Sequence, residues 1–110
     1  MISKNDWQHK LLLSDLPLHL RGMGCIMAEY ADGTTGEHIH PGLARLEREC
    51  HVNPKTAIRN IAQLVKSGWL VKTYDARTGP EREYTNEYRL TIPSDHVTWL
   101  DEIEIEERGL

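Results

Sequence analysis

From Pro54 to Ser67 the chain separates its polar and apolar positions by helical period. At 100° per residue, Lys55, Thr56, Arg59, Asn60, Gln63, Lys66 and Ser67 fall within an arc of about 140°, while Ala57, Ile58, Ile61, Ala62, Leu64 and Val65 fill the other side. The spacing predicts an amphipathic helix. Asn53 suits its N-cap, Pro54 its first position and Gly68 its stop. Just upstream, Leu43, Leu46 and Cys50 at core spacing predict a shorter helix from Pro41 to Cys50. His51, Val52 and Asn53 are left to turn the chain between the two.

Two more helices are expected nearer the N-terminus. Ser3 or Asn5 caps one that runs to about Ser14, with Trp7 and Leu11 four residues apart and Leu12 and Leu13 adding apolar surface. So short and apolar a helix needs a partner surface. Leu16-Pro17 opens the next, which extends to about Tyr30 or Ala31 with Leu20, Met23, Ile26, Met27 and Tyr30 inward. Gly22 and Gly24 weaken it by about 1 kcal/mol each relative to Ala, and close helix contact is the expected compensation. Residues 31–37, with Asp32-Gly33 and Gly36, read as a loop.

After Gly68 the period changes from 3.6 to 2. Trp69 to Tyr74 is one expected strand and about Tyr84 to Ile92 the other, with Tyr84, Asn86, Tyr88, Leu90 and Ile92 on one face. Gly79-Pro80 turns the segment between them. Pro93 ends the sheet and Ser94-Asp95 can cap a further C-terminal helix. Ile103-Glu104-Ile105-Glu106, however, also alternates as a strand would, so the element type stays open beyond Asp101. The fold class is therefore mainly α with a small antiparallel hairpin. One domain is expected over residues 1–93, followed by an acidic extension over 94–110.

Composition narrows the picture. The chain has 110 residues and no Phe, so three Trp and four Tyr supply all the aromatic volume of one aliphatic core. No run of 18 apolar residues occurs and the N-terminus lacks a signal-peptide pattern, so a soluble cytoplasmic protein without membrane contact is expected. Cys25 and Cys50 have neither metal nor redox spacing and read as two thiols in a reducing compartment. His38, His40 and His51 have no second motif at ligand spacing, so neither a metal nor any other cofactor is expected. Walker, dinucleotide, Gly-x-Ser-x-Gly and His-Glu-x-x-His motifs are all missing, which argues against an enzyme.

The net charge of −4 is unevenly placed. Residues 95–108 hold six acids (Asp95, Asp101, Glu102, Glu104, Glu106, Glu107) against Arg108 alone. From Pro41 to Arg89 nine Lys or Arg face six Asp or Glu, and no carboxylate occurs between Glu49 and Asp75. Lys55, Arg59, Lys66 and Lys72 lie in that acid-free span. A positive helix face with neutral hydrogen-bonding groups suits a phosphate-lined groove.

The chain resembles the winged helix-turn-helix DNA-binding domains common in bacterial, phage and plasmid regulators. The resemblance is carried by Leu43-Ala44-Arg45-Leu46, by Val52-Asn53-Pro54-Lys55-Thr56, by Leu64-Val65-Lys66-Ser67-Gly68-Trp69-Leu70 and by Thr85-Asn86-Glu87-Tyr88-Arg89-Leu90. From Leu43 to Leu90 these stretches span a little under half the chain, with His51 where the family often has Gly. The resemblance implies a helix-turn-helix over residues 41–67 and a wing over 69–92. A short strand at His38-Ile39-His40, with Ile39 inward, would join the wing as its third, edge strand. The recognition helix, residues 54–67, would enter the major groove, with Lys55, Thr56, Arg59 and Asn60 toward base edges and Thr56 alternatively on a phosphate. Gln63 and Lys66 lie further along, and Arg45, Arg48 and Asn53 complete the candidate set around the turn. Arg77 and Arg82 flank the wing tip, residues 75–84, which would reach the minor groove or the adjacent backbone. The added N-terminal helix, Trp7 to Leu13, either serves a homodimer or packs on its own domain. The acidic extension either packs on that helix, serves a dimer or competes with DNA.

The implied function is sequence-specific binding of double-stranded DNA by a dimeric, repressor-like transcriptional regulator of a phage, plasmid or integrated element. A replication or excision accessory protein, or a winged helix that binds protein instead of DNA, would use the same residues.

Overall fold

The structure is a computed structural model and describes residues 2–79 and 85–93. Four helices, α1 (Lys4–Leu12), α2 (Leu18–Ala28), α3 (Leu43–Cys50) and α4 (Pro54–Lys66), precede an antiparallel pair, β1 (Leu70–Tyr74) and β2 (Glu87–Leu90). This is a winged helix-turn-helix. The four helices and the two hairpin strands expected from the pattern are found, each one to several residues shorter than its hydrophobic pattern. The proposed C-terminal helix, the acidic extension and Arg82 lie outside the described residues.

Local signals set the helix ends. Ser3 caps α1 by accepting the N–H of Asp6, and Asn53 caps α4 by accepting the N–H of Thr56 at 2.8 Å. At the exit of α4, Gly68 sits at φ +90 and its N–H donates to Val65, while the N–H of Trp69 donates to Leu64. That pair of bonds is a Schellman stop, and the positive φ is why Gly stands there. α3 ends on His51 at φ 55, a left-handed residue where glycine would be unstrained.

The core is built from α1 and α2 packed against α4 and the sheet. Trp7, Leu11, Met27, Ile39, Leu64, Trp69 and Leu70 are its largest fully buried side chains. Trp7 and Leu11 bury themselves in the core of their own domain, while Leu12, Leu13 and Leu18 remain exposed around the α1–α2 turn. Gly24 explains how α2 approaches α1: a Cβ there would stand 2.6 Å from Leu11 and 3.2 Å from Trp7. Gly22 has nothing within 4 Å of that position, so the compensation expected for it is absent and its helix cost stands.

β1 and β2 pair with Leu70 opposite Leu90 and Lys72 opposite Tyr88, and the register slips before Tyr74 meets Glu87. The expected third strand is reduced to one bridge, in which Ile39 and Tyr88 exchange both main-chain bonds at 3.0 and 2.9 Å. The reason is local: His38 has φ 67, and a left-handed residue cannot extend the ladder. Ile39 is nevertheless fully buried, as its inward placement requires.

Candidate nucleic-acid interface

α4 presents Lys55, Arg59, Gln63 and Lys66 to solvent along one outward face, with Thr56 half-buried at its edge. No carboxylate lies on the helix, and its cap is the neutral Asn53. Every side chain on this face is therefore positive or neutral, which is what an array of phosphates and base edges requires.

The buried face is turned from the one the polar pattern predicts. Asn60 is 3% exposed and faces inward with Ala57, Ile61 and Leu64, so it cannot reach a base edge. Ile58 is 56% exposed, and Ala62 is exposed as well. Packing against α2, α3 and β1 selects which flank of the helix is covered, and it selects the Asn60 flank over the Ile58 flank. Among the described residues no hydrogen bond engages the Asn60 carboxamide. The outward carboxamide of α4 is instead that of Gln63.

The other candidates divide by what holds them. Asn53 spends its side-chain oxygen on the α4 cap, so its contribution is the entry angle of the helix. Arg45 lies over the ring of Tyr30 at 5.8 Å, and the Tyr30 hydroxyl donates to Glu49 one turn along α3. The Glu49 hydrogen bond holds the phenol above its ordinary pKa. This grouping ties α2 to α3 and leaves Arg45 with a structural partner. Arg48 is exposed on the same helix.

In the hairpin, Asp75 accepts the main-chain N–H of Arg77 at 2.9 Å and approaches its guanidinium and the Lys72 ammonium, at 3.5 and 3.4 Å. These donors, the Arg77 main chain first, hold the Asp75 carboxyl down at about 2. Arg77 remains 83% exposed, so it can exchange this carboxylate for a phosphate. The Cys25 and Cys50 thiols are pushed up, by burial first and then by Glu29 and Glu49, and neither is a reactive thiolate. Among the described residues no three His, Cys, Asp or Glu are grouped to hold a metal, and no helix is long and apolar enough to cross a membrane.

An apolar groove flanks the outward face of α4, and the polar pattern gave no direct sign of it. The available signal was Ile58, only about 60° around the helix from Lys55.

Residues 24–70 match the family model described as a helix-turn-helix domain. No curated protein and no solved structure matches the chain. The matched segment starts in α2, contains α3, the turn and α4, and ends where β1 begins. With its helices and hairpin arranged as described, the chain has the winged helix-turn-helix fold, and the matched segment is similar to helix-turn-helix domains.

Proposed function

We propose that the protein is a sequence-specific binder of double-stranded DNA and acts as a small repressor-like regulator of a phage, plasmid or integrated element. The observation that carries this reading is the outward face of α4, where Lys55, Arg59, Gln63 and Lys66 are exposed inside a span without carboxylates from Cys50 to Tyr74. Arg59 is suited to a bidentate contact with guanine, and Gln63 takes the adenine-reading role for which Asn60 is misplaced. Lys55, Lys66 and Arg48 hold phosphates, and Arg77 does so from the wing. The protein works without catalysis, in the cytoplasm.

One winged helix spans few base pairs, so two copies on an inverted repeat are needed against genomic competitors. Leu12, Leu13 and Leu18, exposed around one turn, are the apolar surface available for such a homodimer. A replication or excision accessory role would use the same contacts on repeated sites. Binding of protein instead of DNA is the competing reading, and the exposed Ile58 beside the recognition face favours it.

Selection of bound sequences from a random duplex library with the full chain separates these readings. An enriched inverted repeat is the expected result. No enrichment, with binding that disappears at physiological salt, would overturn the DNA reading in favour of a protein partner.

A further inference from the structure

Between α4, the start of α3 and the hairpin lies an open groove of about 620 Å³, with Leu43, Ile58, Ala62, Val65 and Tyr88 among its walls. Lys66, Lys72 and Arg77 also line it, the last two beside Asp75 at 3.4 and 3.5 Å, and no carboxylate is itself part of its walls among the described residues. A mostly apolar surface of this kind beside exposed Ile58 calls for an apolar occupant, and its basic lining calls for an acidic one.

The chain itself supplies a segment of that chemistry within reach. Pro93 packs against Gly68, just past the end of α4: a Cβ on Gly68 would stand 3.2 Å from it. From Gly68 back to Ile58 the helix path is about 15 Å at 1.5 Å per residue. Residues 94–107 cover that distance several times over at about 3.3 Å per extended residue. Their sequence places Val97, Leu100, Ile103 and Ile105 among Asp101, Glu102, Glu104, Glu106 and Glu107.

We propose that residues 97–107 dock in this groove, with their apolar side chains on Ile58, Ala62 and Val65 and their carboxylates toward Lys66, Lys72 and Arg77. Docked there, the acidic groups stand beside the face of α4 that takes phosphates, and DNA must displace them. The competition rests on the DNA-binding reading of α4. The docking does not.

The test uses the full chain with labelled Ile, Leu and Val methyl groups. Nuclear Overhauser contacts from Ile103 or Ile105 to Ile58 and Val65 are expected, and a mixed-isotope sample shows them to be intramolecular. A Leu100→Ser, Ile103→Ser variant whose amide spectrum is unchanged away from the groove should lose the Ile105 contacts and bind duplex DNA about tenfold more tightly at low salt. Absence of the contacts in the parent chain overturns the proposal, as do intermolecular contacts, which assign the groove to a second copy, or contacts from Tyr84, which assign it to the hairpin tip. Contacts present in the parent chain and lost in the variant, with equal duplex affinity in both proteins, overturn the competition. Intact contacts with no duplex bound by either protein support docking and overturn the DNA reading of α4.

Discussion

Trp7 and Trp69 meet edge to face, with ring centroids 5.9 Å apart and planes at 84°. The Trp7 indole N–H also donates to the main-chain oxygen of Trp69 at 3.1 Å and to that of Thr91 at 2.7 Å. α1 is thereby fastened to the exit of the recognition helix and to the returning strand at a single point. Trp7→Phe keeps most of the ring contact and removes the donor. It should cost about 1–3 kcal/mol in urea unfolding, with an unchanged denaturant slope. A loss under 0.5 kcal/mol would mean that the indole bonds do not hold α1 in place.

The two glycines of α2 should respond in opposite senses. Gly22→Ala meets open space and gains helix propensity, so it should stabilise by up to about 1 kcal/mol. Gly24→Ala drives a methyl into the fully buried Leu11 and should destabilise by about 1–3 kcal/mol. Thermal unfolding of the two variants side by side checks the sign of each.

Asn60→Leu tests the rotation of α4. If the carboxamide is buried on the core side, replacing it with an apolar group of similar size should stabilise the protein by about 1–2 kcal/mol and leave duplex affinity unchanged. A weakened duplex complex with unchanged stability would return Asn60 to the outward face.

The hairpin carries a pH signature. Asp75 has its carboxyl lowered to about 2, so its contribution is fully present above the ordinary carboxylate range and is lost as pH falls through about 2. Carbon-detected titration of the Asp75 carboxyl should therefore give a midpoint near 2, and Arg77→Ala should raise it by removing one of its side-chain donors. A midpoint at the ordinary value in the parent chain would contradict the Asp75–Arg77 geometry.

What could be read from the chain alone follows a physical division. The Asn53 cap, the Gly68 stop and the three-residue turn are local, each set by a few neighbouring residues, and all three are found where the pattern puts them. The change from helical to strand period after Gly68 is equally local. Tertiary choices were less legible. A 3.6-residue period shows that α4 has a buried side, but α2, α3 and β1 decide whether Asn60 or Ile58 lies under them. Gly22 and Gly24 are alike in sequence and differ only in what stands opposite. The sequence places His38 in a strand, but its left-handed backbone confines the pairing to Ile39. The basic residues were easy to find, whereas the partners that occupy Arg45 and Asn53 emerge only in three dimensions.

Whether the outward face of α4 reads DNA is tested most directly by paired substitutions on one selected duplex. Affinities of the parent chain, Arg59→Ala and Lys66→Ala would be measured on that duplex and on a scrambled one, across a range of salt. Arg59→Ala should lose about 1–3 kcal/mol of discrimination between the two duplexes. Lys66→Ala should weaken both alike and reduce the salt slope by about one. If neither substitution changes affinity or slope, α4 does not face DNA and the account is contradicted.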